Sequence, residues 1–332
     1  MNKKYPLYIF IFLFLCEINN INLNEIYNNL INKNNEDTIV ETNQPNGTKP
    51  NIVASNLNVY FINVGQADCI LIQNNDENML IDAGNNEDGE KLVKYFKSIG
   101  ITKFKYVVGT HPHEDHIYDL PNLYAKLSPK VLQRPKEAFD IIPTQNTYIH
   151  QRIADQANEM NNTYNQPVNI NESPVEASVN GGVEFDFVFP KQQWTIKHDL
   201  NTFSSIIVVK AFGYKFVLTG DNPQNILQNM MDENHENIKQ KVKDATVLLA
   251  PHHGRTGEYC KDFFDCVNPY LTVVSDKSIE HSTQSDTAQV YKGRGANLYG
   301  NKRYVLTTRK EGTISFDVGD GYCNVDWGKE NY

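Results

Sequence analysis

The sequence predicts an α/β fold built as a sandwich, with two sheets face to face and helices outside them. Three observations lead there. Strand-like segments come in two batches, helical segments fall between and after them, and several apolar strands run directly into residues of metal-ligand type beside a glycine turn. A length of 332 residues allows one large domain or two ordinary ones. With 40% hydrophobic and 21% charged residues, the composition excludes a collagen, a coiled coil, a multi-span membrane protein and a disulfide-dense miniprotein.

The N-terminus reads as an export signal over residues 1–16. Lys3 and Lys4 precede the apolar run Tyr8–Leu15, which is shorter than the roughly 20 residues a membrane-spanning helix needs. Cys16 leaves open a lipid-anchored alternative, although the residue before it is Leu15 rather than a small one. Residues 17–55 are rich in Asn and lack a sustained apolar period, so they are expected to form a disordered linker. The folded domain is expected over 56–320, with a C-terminal tail over 321–332.

Within that domain, LNVYFINV, CILIQ and MLID form a β-meander broken by a polar turn at Asn74–Asp76. Glu87 to Ile99 has helical spacing and stops at Gly100. FKYVVGT is a strand that leads into HPHEDH. The stretch 133–182 is irregular, with one helix expected around Tyr148–Met160. VEFDFVF, FSSIIVVKAF and YKFVLTG are strands, the last two joined across Gly213-Tyr214. A polar helix is expected over Gln224–Lys243. ATVLLA and LTVVS are strands, followed by a helix at Thr283–Tyr291 and the strands YVLTT and TISFDV.

Four cysteines follow Cys16: Cys69, Cys260, Cys266 and Cys323. They permit two disulfides, with Cys260 and Cys266 near enough to pair; buried free thiols are the alternative. No spacing is of the CxxC zinc type. The net charge of −9 argues against holding nucleic acid by simple phosphate neutralisation, but not against a metal site that grips phosphate locally.

The most informative segment is Thr110-His111-Pro112-His113-Glu114-Asp115-His116, with five potential ligands in six residues at a strand end. Imidazole and carboxylate donors suit zinc, manganese or iron. His111 and His113, two apart on extended backbone, point the same way. Asp115 and His116, past a turn, can face a second ion. Asp221 ends another strand in FVLTGD, and His252 and His253 end LLAPHHG. One such Asp is usually a turn residue or cap; the repetition of the arrangement is what counts. Asp82, in MLIDAG, is a strand-end acid suited to orienting the His loop from behind.

With HxHxDH at a strand end, LIDAG before it and TGD and PHHG after it, the chain resembles the metallo-β-lactamase-fold hydrolase superfamily. Within that superfamily it most resembles the soluble domain of ComEC-type competence proteins and their stand-alone relatives. The signatures are FINVGQADCILI, LIDAG, THPHEDHI, Asn201 with Ser204, VLTGD, LLAPHHG and a late His281 followed by LTTRKEGTISF, spanning about residues 57–318 in order. Ala67 stands where the family usually has Gly. No third His stands at Ser204 or Ser205, and His198 is the nearest.

The resemblance implies a four-layered αββα sandwich. It implies one or two Zn2+ ions, with Mn2+ as the other candidate. His111 and His113 would hold the first ion; Asp115, His116 and one of His252 and His253 the second; Asp221 would bridge. His253 is favoured over His252, which is then expected to stand behind the ligands. Two ions sharing a hydroxide would provide the nucleophile, with Asp115 in the catalytic group and His281 protonating the leaving group or binding phosphate. The function implied is an exported, metal-dependent hydrolase, a phosphodiesterase or nuclease acting on a phosphodiester substrate such as DNA or RNA. A lactone or amide hydrolase on the same site and a surface binding protein with a degenerate site are the alternatives. The expected location is secreted or cell-surface, with no stable protein partner and membrane contact only through a lipid anchor.

Overall fold

The computed structural model describes residues 56–127 apart from 75–76 and 85–88, then 131–134, 155, 168–169, and 183–328 apart from 197, 233–234 and 278–289. The expected signal and linker, most of the Tyr148–Met160 helix, and His281 with most of its helix lie outside these residues.

The chain opens on the meander. β1 (Leu57–Phe61), β2 (Ile70–Asn74) and β3 (Glu77–Ile81) are successive antiparallel neighbours, with Ile70 opposite both Phe61 and Ile81. Helix α1 (Gly89–Ser98) buries Leu92, Val93 and Phe96 and ends before Gly100, whose φ of +87° suits glycine. β4 (Tyr106–Val108) lies parallel to β3. After α2 (Glu114–Ile117) and α3 (Leu120–Leu127), the sheet continues through β5 (Val131–Arg134) and β6 (Val168–Asn169).

The second batch begins with β7 (Glu184–Val188), β8 (Ile206–Ala211) and β9 (Tyr214–Leu218), paired antiparallel. The single helix expected over Gln224–Lys243 is two: α4 (Gln224–Met231) and α5 (Glu236–Val242). β10 (Val247–Leu249), α6 (Lys261–Val267), β11 (Leu271–Val274), a small hairpin of β12 (Ala296–Leu298) and β13 (Asn301–Arg303), and β14 (Val305–Thr307) follow. α7 (Thr308–Glu311) leads into β15 (Thr313–Gly319) and β16 (Tyr322–Gly328). The expected tail is therefore corrected. Residues 322–328 pair along the whole of β15, because Cys323 and Val325 alternate with polar residues and bury one face.

One sheet has the order β16-β15-β1-β2-β3-β4-β5-β6 and the other β14-β11-β10-β9-β8-β7. Alternate residues of each strand serve different layers. Leu57, Val59 and Phe61 face Ile207, Val209, Phe216 and Leu218 between the sheets. Phe316 packs edge-on to Phe61 of its own sheet and to Phe216 of the other, at centroid distances of 5.9 and 5.4 Å. Tyr60, Leu71 and Leu80 turn outward under Phe96, Leu120 and Leu123. Val208, Val217 and Leu248 do the same under Leu227, Met230 and Phe263. Helix, sheet, sheet, helix: the fold is the four-layered sandwich. Burial on both faces explains why the strands read as near-continuous apolar runs.

The C-terminal ends of the parallel strands meet. The Ser205 N–H donates to the Thr110 carbonyl, and the Asp68 N–H to the Asp115 carbonyl. Gly220, at φ +52°, lets these ends close, since a Cβ there would lie 3.3 Å from Thr110 Oγ1. All four cysteines after Cys16 are free thiols, so neither disulfide forms. Among the described residues, no helix is long and apolar enough to cross a membrane.

Candidate metal centre

Each polar cluster sits where an apolar strand runs out. Asp82 follows β3 at φ +55°, and its carboxylate organises the next strand end. Oδ1 accepts the Thr110 N–H at 2.8 Å, and Oδ2 accepts the Thr110 hydroxyl at 2.7 Å. Oδ2 also lies 2.7 Å from His116 Nδ1. That contact directs His116 Nε2 inward, where it is buried without a hydrogen bond 3.2 Å from Asp221 Oδ1.

Asp221 follows β9, with its backbone N–H on Ser204 Oγ and its side chain 1% exposed. Its other oxygen, Oδ2, faces three imidazoles: His111 Nε2 at 3.8 Å, His252 Nε2 at 3.5 Å and His253 Nε2 at 3.8 Å. His111 Nε2 and His113 Nδ1 converge to 2.9 Å. His253 Nε2 lies 3.1 Å from Asp115 Oδ2, while its Nδ1 is 3.0 Å from the Ser275 carbonyl. Donor atoms of His111, His113 and Asp221 lie within 4.8 Å of one another, as do those of Asp115, His116, Asp221 and His253. Asp221 belongs to both groups. The chain thus brings together all the candidate ligands on the described residues, with His252 against Asp221 but outside both groups. His198 is exposed and joins neither.

The two groups differ electrostatically. Burial and the neighbouring imidazoles hold His111 well below the usual histidine range, and burial lowers His113. For His116 and His253 burial acts in the same sense but is outweighed. The Asp221 and Asp82 carboxylates raise His116 well above its ordinary value. Asp221, Asp115 and Asp68 raise His253 to about 9. Burial raises Asp115 and Asp221, but their histidine partners pull both below the usual carboxylate range.

Two acidic residues were missed from the sequence. Asp68, 3% exposed, lies 3.8 Å from His253 Nδ1, and burial lifts its carboxyl to about 6. It is the acid of the FINVGQADCILI signature, which is the signal that could have given it a role. Glu258 stands 3.6 Å from His252 Nδ1 and accepts the Gln224 N–H; no sequence pattern announces it. His252 and His253 themselves occupy left-handed backbone, at φ +50° and +54°. Such a conformation costs about 1–2 kcal/mol per non-glycine residue. The following Gly254 and the His252 N–H bond to the Gly220 carbonyl hold the turn.

This is the arrangement of a metal-dependent hydrolase built at one end of an αββα sandwich. Residues 62–259 match the profile of the metallo-beta-lactamase superfamily, and the chain belongs to that superfamily. Its fold is similar to that of the metallo-beta-lactamase fold protein YhfI from Bacillus subtilis, at 12% identity over 79% of this chain and 100% of that one, with a TM-score of 0.46. It is also similar to a diphosphatase from the PhnP family (13% identity, 73% and 81% covered, TM-score 0.42). A metallo-beta-lactamase from Cronobacter sakazakii is similar as well (15% identity, 57% and 73% covered, TM-score 0.37). No match was found among curated proteins.

The donors fit divalent metal. His116 Nε2 and Asp221 Oδ1 are buried with no hydrogen bond. Asp68, Asp82 and Asp221 are buried together, and such a concentration of negative charge calls for cations. The superfamily consists mostly of metal-dependent hydrolases, and this chain carries the His/Asp cluster such enzymes require.

Proposed function

We propose that the protein is an exported phosphodiesterase or nuclease, related to the soluble domain of ComEC-type proteins, that uses two divalent ions. The observation that carries the reading is the pair of donor groups sharing Asp221. His111, His113 and Asp221 would hold one ion; Asp115, His116, His253 and Asp221 the other, with zinc favoured and manganese the alternative. Bound there, divalent metal supplies a water-derived nucleophile near neutral pH and charge stabilisation for the phosphoryl oxygens.

The remaining work falls to the chain. Asp82 accepts the His116 Nδ1–H and the Ser275 carbonyl accepts the His253 Nδ1–H, so both rings present Nε2 inward. Asp115, whose side chain is 28% exposed, stands at the solvent side of the pair, where an incoming substrate meets it. His281, outside the described residues, is proposed to protonate the leaving oxygen or bind phosphate. The phosphodiester class is supported by the resemblance of the VGQ-x-D, TGD and PHHG segments to the ComEC type, and export by the Lys3-Lys4 and Tyr8–Leu15 pattern.

The test pairs metal analysis with turnover of bis(p-nitrophenyl) phosphate, single-stranded DNA and a lactone. Phosphodiester cleavage lost on chelation and restored by zinc or manganese is expected. Lactone turnover without phosphodiester turnover overturns the substrate class, and a metal-free, inactive protein overturns the enzyme reading.

A further inference from the structure

The proposed metal pair leaves one requirement of an anionic substrate unmet. Two divalent ions would bring four positive charges, and the carboxylates of Asp68, Asp82, Asp115 and Asp221 supply four negative ones. The loaded site therefore has little net charge with which to draw in a phosphodiester. A neutral lactone meets no such obstacle. A cation beyond the metal donors would decide between the two.

Lys277 is placed for that role. It stands two residues past Ser275, whose carbonyl lies 3.0 Å from His253 Nδ1, at the metal-bearing end of β11. Its base is fixed. Thr308 Oγ1 accepts the Asp276 N–H at 3.0 Å and donates to the Asp276 carbonyl at 3.1 Å. Its stem is fixed as well. The side chain crosses to the other sheet and lies along the loop after β1, where a Cβ on Gly65 would be 3.5 Å from Lys277 Cδ and 3.8 Å from its Cβ. Three residues on, that loop delivers Asp68, whose N–H is bonded to the Asp115 carbonyl. Lys277 thus flanks the side of the centre on which Asp115 meets solvent.

Its charge is uncommitted. Lys277 is exposed, and among the described residues its ammonium has no ion pair and no hydrogen bond. The adjacent Asp276 is not its counterion, because that carboxylate faces Arg309 Nη1 at 3.4 Å. The loops after β1, β3 and β4, which carry most of the acids, contain no Lys or Arg. A lysine held at its base and along its stem gives up little freedom on closing over an anion.

We infer that Lys277 is the substrate-binding cation of this site: its ammonium takes a non-bridging oxygen of the substrate phosphate and makes the site select phosphodiesters over neutral esters. The inference rests on the phosphodiesterase reading above and adds the residue that enforces it.

The test compares zinc-loaded wild type, Lys277→Gln, Lys277→Arg and Lys94→Gln. Lys94, exposed on α1, removes the same charge elsewhere. Inorganic phosphate is titrated by calorimetry, and kcat and KM are measured for bis(p-nitrophenyl) phosphate, single-stranded DNA and a lactone. Lys277→Gln should bind phosphate roughly tenfold more weakly, the scale of one charge-assisted hydrogen bond. KM for both phosphodiesters should rise by a similar factor with a much smaller change in kcat, so that the ratio of phosphodiester to lactone kcat/KM falls. The slope of log KM for DNA against log salt should drop by about 0.7. Lys277→Arg should recover most of the phosphate affinity, Lys94→Gln should match wild type, and bound zinc should be equal in all four. Unchanged phosphate affinity and KM in Lys277→Gln, while wild type cleaves phosphodiesters, overturns the inference and leaves the reading standing. An equal loss in Lys94→Gln, or zinc lost from Lys277→Gln, overturns it too, by showing a general charge effect or a structural role. Wild type that cleaves no phosphodiester defeats the reading itself, and equal phosphate affinities in wild type and Lys277→Gln then take the inference with it.

Discussion

Metal should load this protein in two steps that differ in their proton cost. His111 and His113 are held below the usual range by burial, so in the metal-free protein at pH 7 they are neutral and ready to ligate. His116 and His253 are held above it by Asp221, Asp82 and Asp115, so they carry protons that an ion must displace. For His253, with a value of about 9, the competition at pH 7 spans about two pH units. At tenfold per unit, that weakens the second ion about 100-fold from this residue alone. Zinc titrations by calorimetry at pH 7, in buffers of different ionisation enthalpy, count the protons. The first equivalent should release close to none and the second about two. Affinity for the second should rise from pH 6 to 9 while that for the first stays nearly flat. Equal proton release by both equivalents, or two affinities with the same pH slope, would refute the assignment of distinct charge states to the two groups.

Replacing Asp221 or Asp115 with Ala should abolish turnover with the far-ultraviolet circular dichroism intact, since both lie beyond strand ends and outside the apolar core; exposed His198→Ala should keep near-wild-type activity. Asp82→Asn should lower metal affinity about 10–100-fold, measured by chelator competition, because the His116 ring loses its acceptor. In the metal-free protein, the raised value of His253 contributes stability that is fully present below pH 6.5 and lost as pH rises through about 9. That loss, roughly 3 kcal/mol, should appear as a falling urea midpoint over that window. A protein beginning at Asn56 should keep wild-type thermal stability, and a fall in melting temperature of several degrees would show that residues 17–55 pack on the domain.

The layers of the fold could be read from the chain because buried parallel strands leave continuous apolar runs, and the strand-end histidines and acids were visible for the same reason. Local pattern failed where tertiary packing decided. Met231, Ile238 and Val242 keep helical spacing across the break between α4 and α5, so nothing in the period marks the interruption. β16 was passed over although Cys323 and Val325 alternate with Asn324 and Asp326, a short amphipathic strand at a chain end. Asp68 acquires meaning only through His253, far away in sequence, and Glu258 through His252, across a turn whose course no spacing rule gives.

The ligands come from both sheets. His111, His113, Asp115 and His116 follow β4 in one; Asp221, His252 and His253 follow β9 and β10 in the other. An ion held by both therefore works as a cross-link, riveting two halves of the sandwich that are otherwise joined by apolar contact and a few backbone hydrogen bonds. At a free metal concentration 100 times its dissociation constant, such a rivet adds about 2.7 kcal/mol to the folded state. Metal scarcity would then do more than idle the enzyme. It would loosen the open end of the sandwich first, so a molecule that fails to find its ions would be the one most readily cleared by proteases.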